Sequence, residues 1–269
     1  MKLQVRGAET FVTTGGRPFV PEQPTIVFVH GAGMNRIVWY LQTRYFAHHG
    51  HAVLAVDLPG HGRSQGTLLG SVQELADWIP ALLDSAGVPK ATLAGHSMGS
   101  LIALESAARH PDRVSKLALL GVTSKMPVPP DLLKAANADD PLAYDLMMAW
   151  GTGPVGHFGR HPVPGISLIP GGRNLLRMEN SGVLGNDLGL CNDYQSGIES
   201  ATKVSCPTLI VMASEDKMTP PKQGEKLAAA IPNAKTHLIQ DCGHMMMLEK
   251  SDECLKTLKA HLNCFENGS

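Results

Sequence analysis

Short apolar runs that alternate with longer stretches of helical spacing limit the fold of this chain more than any other feature of its sequence. Runs of this kind, rich in Val, Ile, Leu and Thr, are typical of β-strands. Strands that are almost wholly apolar need helices on both faces, so the alternation predicts an α/β protein with a mostly parallel sheet. The predicted strands are 25–29, 52–56, 91–94, 114–120, 208–213 and 235–239, with an antiparallel edge at 3–6 and 11–14. The helices predicted around them are 37–49, 72–86, 98–110, 222–230 and 251–262.

One long insertion interrupts this rhythm. Residues 121–207 separate two predicted strands, and a βα crossover needs far fewer. The segment is rich in Gly and Pro, yet Leu, Met and Trp recur through it, which favours folded structure over a disordered linker. We therefore predict a core of residues 1–122 and 204–269 and an inserted cap of residues 123–203. Helices predicted within the cap are 130–138, 141–150, 174–178 and about 193–202.

The composition excludes several classes of protein. Of the 269 residues, 43% are hydrophobic and 17% charged, and the net charge is −1, so nothing suggests nucleic-acid binding or an anionic membrane surface. The five cysteines form no C-x-x-C pair and give no disulfide pattern. No apolar run resembles a signal peptide or a membrane helix. We expect a cytoplasmic protein that binds neither nucleic acid nor membrane and is a monomer or homodimer.

The stretch Gly95–Gly99, with the sequence Gly-His-Ser-Met-Gly, lies between a predicted strand and a predicted helix. A sharp strand-to-helix turn strains its central residue and needs almost no side chain two positions away, which explains the two glycines. The turn lifts the Ser97 hydroxyl clear of the sheet, and the helix N-terminus points at developing negative charge. The pattern predicts that Ser97 is a catalytic nucleophile.

The loop His30–Gly33 follows another apolar strand and offers a backbone N–H to the same site. We predict an oxyanion hole formed by the N–H groups of Ala32 and Met98, the residue after the nucleophile. Taken alone, this loop could equally be a plain tight turn. A further loop, Asp57–Ser64, holds two glycines and a proline, and we assign Asp57 a structural role.

A serine nucleophile needs a base, and the base needs an orienting acid. Asp216 follows the strand 208–213, and His244 follows the strand 235–239, so both lie at carboxyl ends, where ligands bind in open α/β sheets. Asp216 is preferred to Glu215 because the shorter carboxylate suits a fixed orienter. We predict His244 as the base and Asp216 as its partner.

Five further residues are candidates for substrate contact. Arg36 could hold a substrate carboxylate, although an exposed loop arginine is more often simply solvated. Methionine adapts to irregular apolar shapes, although the sequence slightly favours a core role for the methionines after His244. The candidates are His30, Arg36, Trp150, Phe158 and Met245.

In order along the chain, the motifs His30–Gly33, Asp57–Ser64, Gly95–Gly99, Asp216–Pro220 and Gly243-His244 make this sequence resemble the α/β-hydrolase superfamily. Within it, the chain is similar to the cap-bearing serine hydrolases of the carboxylesterase and lipase-like branch. The resemblance implies the α/β-hydrolase fold. That means an eight-stranded sheet flanked by helices, with the second strand antiparallel and a helical cap between strands six and seven.

The resemblance also implies a catalytic triad of Ser97, Asp216 and His244. Haloalkane dehalogenases and epoxide hydrolases of the same fold use Asp as nucleophile, so the serine excludes them. We expect a carboxylic ester hydrolase that takes a small-molecule acyl substrate and needs no metal or organic cofactor. The alternatives are a hydrolase of a C–C bond in a diketone acid, a lactonase, a thioesterase, a perhydrolase, and a ligand receptor without turnover.

Overall fold

The computed structural model describes residues 1–157, 160–161 and 166–263. Within them the apolar runs form one eight-stranded sheet in the spatial order β1-β2-β4-β3-β5-β6-β7-β8. The strands are β1 Lys2–Val5, β2 Ala8–Thr13, β3 Thr25–Val29, β4 Ala52–Val56, β5 Ala91–His96, β6 Val114–Leu120, β7 Thr208–Ala213 and β8 Lys235–Ile239. The α/β-hydrolase fold expected from the motifs is therefore confirmed.

The second strand is the one that runs against the rest of the sheet. β2 pairs antiparallel with both β1 and β4, whereas the pairs from β4 through β3, β5, β6 and β7 to β8 are all parallel. Every residue of β3, β4, β5 and β7 is buried, which explains why those runs contain so few polar side chains.

Helices of the core cover both faces of this sheet. They are α1 Tyr40–Ala47, α2 Val72–Ser85, α3 Met98–Arg109, α9 Pro221–Ala230, α10 Met246–Glu249 and α11 Ser251–Asn263. The predicted helix 37–49 differs most from the observed structure, because Arg36–Trp39 form a 3₁₀ turn and the α-helix begins only at Tyr40. The short helix α10 was not predicted, since a run of methionines has no helical pattern of its own.

Five helices lie between β6 and β7 in the described part of the chain. They are α4 Pro130–Asn137, α5 Pro141–Gly151, α6 Leu168–Arg177, α7 Val183–Asp193 and α8 Gly197–Lys203. The prediction of a helix at 174–178 was too short, and α7 was missed because its two glycines and its Asn and Asp residues are poor helix formers. The cap boundaries at residues 123 and 203 remain a prediction.

No helix among the described residues is long and apolar enough to cross a bilayer. The four cysteines that fall in this part of the chain, Cys191, Cys206, Cys242 and Cys254, are free thiols. The carboxyl ends of β3, β5, β7 and β8 meet at one edge of the sheet, and the loops that follow them build the site described next.

Candidate active site

The junction of β5 and α3 holds Ser97 in a conformation that side chains rarely adopt, with φ 54° and ψ −120°. A Cβ atom at Gly95 would lie 2.1 Å from the carbonyl oxygen of Gly99, and one at Gly99 would lie 2.3 Å from that of Val29. Both positions therefore require glycine. The Ser97 N–H donates to the Leu120 carbonyl oxygen at 2.9 Å, which ties the turn to β6.

His244 and Asp216 form a buried pair in the loops after β8 and β7. His244 Nδ1 lies 2.7 Å from Asp216 Oδ2, so its N–H donates to the carboxylate. The carboxylate is held in turn by the N–H of Thr219 at 2.8 Å and that of Met218 at 2.9 Å, and by the Thr219 hydroxyl at 2.6 Å. His244 Nε2 is buried without a partner among the described residues, and His244 and Ser97 line the same small cavity.

Electrostatics favours an ionised carboxylate at this position. Burial alone would raise the pKa of Asp216, but the charge and hydrogen bond of His244 and the Thr219 hydroxyl hold it below its usual value. A charged Asp216 keeps the proton of His244 on Nδ1 and leaves Nε2 as an acceptor. This is the tautomer that a general base for Ser97 needs.

Two residues shape the surroundings of the His244 imidazole. Gly121 has φ +61°, and a Cβ atom there would lie 2.9 Å from His244 Cε1, so a side chain would push the imidazole out of place. His96 Nε2 lies 2.9 Å from the His244 carbonyl oxygen, and burial lowers the pKa of His96 to about 3. A neutral His96 therefore donates to the backbone of the base.

The predicted oxyanion loop is held from behind by His30. Its Nδ1 lies 2.9 Å from the Gly31 carbonyl oxygen, which also accepts from the Met34 N–H at 3.2 Å. That carbonyl belongs to the same peptide group as the Ala32 N–H, so fixing one fixes the direction of the other. Met98 begins α3, where an N–H has no partner within the helix.

A cavity of about 330 Å³ opens above Ser97 between the core and the cap. Its walls are mainly apolar, and Lys217, which is exposed, is the single charged side chain among the described residues that line it. Burial raises the pKa of the Cys191 thiol, which therefore stays neutral in the wall. Apolar lining residues from the cap include Met126, Leu132, Met147, Trp150 and Leu188.

Only some of the residues predicted to contact substrate line a cavity at the site. Trp150 lines the large cavity, and Met245 lines the small cavity beside Ser97. His30 is fully buried, with one ring nitrogen on Gly31 and the other accepting from a backbone N–H, so its assignment to substrate contact was wrong. Phe158 lies outside the described residues.

Arg36 was also assigned wrongly, because its guanidinium is already occupied. It forms a hydrogen-bonded ion pair with the buried carboxylate of Asp57 and donates to the Thr13 hydroxyl at 2.9 Å. Asp57 in addition accepts the backbone N–H groups of Arg36 and Arg63, both at 2.9 Å, as its predicted structural role requires. Arg36 is therefore a support of the Asp57 loop.

Sequence reasoning missed Thr219, Lys217 and the residues of α7 that line the cavity. Thr219 had a local signal, since a hydroxyl three residues after an aspartate can bond back to the carboxylate. The wall residues of α7 had none, because that helix was not predicted.

Comparison with known proteins settles the family. A model described as the alpha/beta hydrolase family matches residues 26–257, from β3 to the middle of α11. This chain belongs to the alpha/beta hydrolase family. Its curated relatives include hydrolases and esterases, and the protein is an enzyme of this class.

Two of these relatives resemble the chain over most of its length. A 2-hydroxy-6-oxononadienedioate/2-hydroxy-6-oxononatrienedioate hydrolase of Paraburkholderia phymatum is 27% identical over 267 residues, covering 85% of this chain and 83% of the relative. A pimeloyl-[acyl-carrier protein] methyl ester esterase of Aromatoleum aromaticum is 27% identical over 252 residues, covering 86% and 95%.

The fold is shared with the enol-lactonase from Burkholderia xenovorans LB400. That crystal structure superposes with a TM-score of 0.87 and covers 97% of this chain and 99% of its own, at 23% sequence identity. At this identity the likeness concerns the fold alone.

Proposed function

We propose that the protein hydrolyses carboxylic esters with a small apolar acyl group, through an acyl-enzyme on Ser97. The observation that carries this proposal is the buried Asp216–His244 pair beside a strained serine at the floor of an apolar cavity. A carboxylate that fixes the imidazole tautomer, next to a hydroxyl at a strand-to-helix turn, is the arrangement that activates serine.

The proposed reaction has two halves. In the first, Ser97 Oγ attacks the ester carbonyl carbon while its proton passes to His244 Nε2. The carbonyl oxygen becomes an oxyanion, which the N–H groups of Ala32 and Met98 stabilise, at a typical few kcal/mol for each donor. His244 then gives the proton to the leaving alcohol, and the C–O bond breaks. In the second half, His244 takes a proton from water, which attacks the acyl carbon. His244 then returns that proton to Ser97 Oγ as the bond between Oγ and the acyl carbon breaks and the acid leaves.

The shape of the cavity supports a small acyl group. Its volume of about 330 Å³ lies at the lower end of the range for small-molecule sites. Its apolar wall would gain from burial of aliphatic carbons, at about 25 cal/mol per Å². The similarity to the methyl ester esterase of Aromatoleum aromaticum also supports a carboxylic ester as the bond that is hydrolysed.

A keto-acid substrate is the second candidate, because Lys217 offers one cation at the cavity. The relation to the 2-hydroxy-6-oxononadienedioate hydrolase favours hydrolysis of a C–C bond. A dianionic substrate would find only Lys217 among the described lining residues, since the Arg36 guanidinium is paired with Asp57. This shortage of cations makes the ester the first choice.

The experiment compares purified wild type with Ser97→Ala on p-nitrophenyl esters of two to eight acyl carbons, a γ-lactone and a ring-fission diketone acid. We expect wild type to prefer short esters and Ser97→Ala to lose about 10⁶-fold in kcat, the scale found when a triad serine is removed. A fluorophosphonate should add its mass to wild type and leave Ser97→Ala unmodified. Turnover of the diketone alone would favour the second candidate, and ester turnover by Ser97→Ala near the wild-type rate would refute the proposal.

A further inference from the structure

The oxyanion loop is also held from the cap side, by Asp187 of α7. The Gly33 N–H donates to Asp187 Oδ2 at 2.8 Å, and the carboxylate is fully buried. Gly33 has φ +65°, and a Cβ atom there would lie 2.7 Å from a side-chain carbon of Leu184. The loop therefore lies directly against α7, and only glycine allows that approach.

The same carboxylate oxygen pairs with His61, from the loop after β4. His61 Nε2 lies 2.8 Å from Asp187 Oδ2, and His61 Nδ1 lies 3.0 Å from the Pro59 carbonyl oxygen. Both ring nitrogens thus face acceptors, which suits an imidazolium. Burial opposes that charge, but the charge and hydrogen bond of Asp187 outweigh it and raise the pKa of His61 to about 9.

The contacts on the two sides of Ala32 complete the argument. The peptide group before it is fixed through the Gly31 carbonyl oxygen by His30, and the peptide group after it is fixed through the Gly33 N–H by Asp187. The first anchor belongs to the core and the second to the cap. Without the second, the peptide group between Ala32 and Gly33 loses its hydrogen bond to the cap, and the direction of the Ala32 N–H is held from one side only.

We propose that Asp187 is a positioning residue, which aims the Ala32 N–H at the oxyanion and so makes the cap part of the catalytic machinery. This inference rests on the proposed function, since it needs an oxyanion formed at Ser97. It differs from a plain tether between cap and core, because it assigns to one hydrogen bond an effect on the transition state.

Tyr194, the residue that follows α7, provides a matched control. Its buried hydroxyl donates to Glu105 Oε2 of α3 at 2.8 Å, so it too joins the cap to the core, but away from the oxyanion loop. Tyr194→Phe removes a buried contact between cap and core and leaves Gly33 untouched. We expect this variant to have a lower Tm and an unchanged kcat.

The test measures kcat, KM and the inhibition constant of a trifluoromethyl ketone, whose hemiketal places an oxyanion in the hole. For Asp187→Ala we expect kcat to fall about 10- to 100-fold, somewhat less than the loss of a complete oxyanion donor. KM should change less than about threefold, and the ketone should bind more weakly by the same factor as kcat/KM. Asp187→Asn, whose amide oxygen can still accept from Gly33, should recover most of the lost kcat.

If the alanine variant does not fold, a comparison of Asp187→Asn with Asp187→Glu distinguishes a positioning role of Asp187 from that of an ion-pair tether. Positioning predicts a higher kcat for Asn, since Glu keeps the charge but displaces the acceptor oxygen, whereas an ion-pair tether predicts the reverse order. The inference is overturned if Glu equals or exceeds Asn, or if Asp187→Ala keeps the wild-type kcat. It is also overturned if Tyr194→Phe lowers kcat as much as Asp187→Ala does. Failure of the ketone to form an adduct on wild-type Ser97 would instead refute the proposed function.

Discussion

Ser97 combines a chemical role with a conformational cost. Its φ of 54° and ψ of −120° lie in a region that is close to exclusive to glycine, where a side chain costs on the order of 1–3 kcal/mol. The cost is sustained by the packing of Gly95 and Gly99 against neighbouring backbone. The site thus stores strain that a residue without a side chain would release.

Replacement of Ser97 by Gly or by Ala should separate strain from chemistry. Both variants lack the nucleophile and should be inactive. The free energy of unfolding of Ser97→Gly should nevertheless be about 1 kcal/mol higher than that of Ser97→Ala. The reason is that the relief of backbone strain exceeds the conformational entropy that glycine adds to the unfolded chain. Urea unfolding of both variants measures the difference, and a more stable Ala variant would show that the turn is unstrained.

Gly121 gives a second prediction at this scale. In Gly121→Ala the new Cβ would meet His244 Cε1 at 2.9 Å, at a backbone φ of +61°. Displacement of a catalytic group by about 1 Å can cost about 10²-fold in rate, so we expect a kcat loss of that order with little change in KM. Gly87→Ala has a similar positive φ and no neighbour within 4 Å, which makes it the control for backbone strain without a clash. Equal kcat losses in the two variants would contradict the explanation.

At the scale of elements, two adjacent residues of α7 contact different parts of the site. Asp187 contacts the oxyanion loop, and Leu188 lines the cavity above Ser97. Sequence patterns did not predict this helix, because Gly185 and Gly189 lower its intrinsic propensity. It forms because Leu184 and Leu188 are buried against the rest of the molecule, which is tertiary packing that no local pattern reveals.

Leu188 should influence the length of acyl chain that is accepted. Leu188→Ala removes three carbons from the cavity wall, so kcat/KM should rise for esters with longer acyl groups. The ratio of kcat/KM for an eight-carbon ester to that for a two-carbon ester should rise several-fold, the scale of one or two methylenes in a hydrophobic pocket. Ile198→Ala, on the exposed surface of α8, is the matched control. An unchanged ratio would mean that the acyl group lies elsewhere.

At the scale of the whole molecule, four buried histidines make stability depend on pH in two directions. Burial lowers the pKa of His30 and that of His261 to about 4 and that of His96 to about 3, so between those values and pH 6.5 the unfolded chain binds more protons. Their contribution therefore falls as the pH drops below 6.5. His61 is the opposite case, because its pKa of about 9 lets the folded state bind more protons between pH 6.5 and 9.

Urea midpoints measured from pH 4 to pH 9 should accordingly pass through a maximum near pH 6.5. The decline of the midpoint above pH 6.5 comes from His61. His61→Gln should therefore be less stable than wild type at pH 6.5, and its midpoint should change less between pH 6.5 and 9. Tyr194→Phe should lower the whole curve without changing its shape. A wild-type midpoint that stays constant from pH 6.5 to 9 would contradict an imidazolium at His61.

The sheet could be predicted from the sequence because its strands are apolar runs, and five of the eight have the expected bounds. The placement of Ser97, Asp216 and His244 followed from chain order, since each comes after a predicted strand at the same edge. The contacts of Arg36 could not be predicted, because its partner Asp57 lies 21 residues away and no local pattern pairs them. Within the insertion, α4 and α5 were predicted almost at their observed bounds, whereas α7 was missed.

The insertion between β6 and β7 has a consequence for synthesis. Residues 121–207 leave the ribosome after β6 and before β7, which pairs with the edge of β6 that β5 leaves open. At roughly 5–20 residues per second, β6 waits about 4 to 17 s for this partner. During that interval an apolar strand shows an unpaired edge, which is a template for another chain. The segment that encloses the cavity therefore also sets how long the nascent protein is exposed to aggregation.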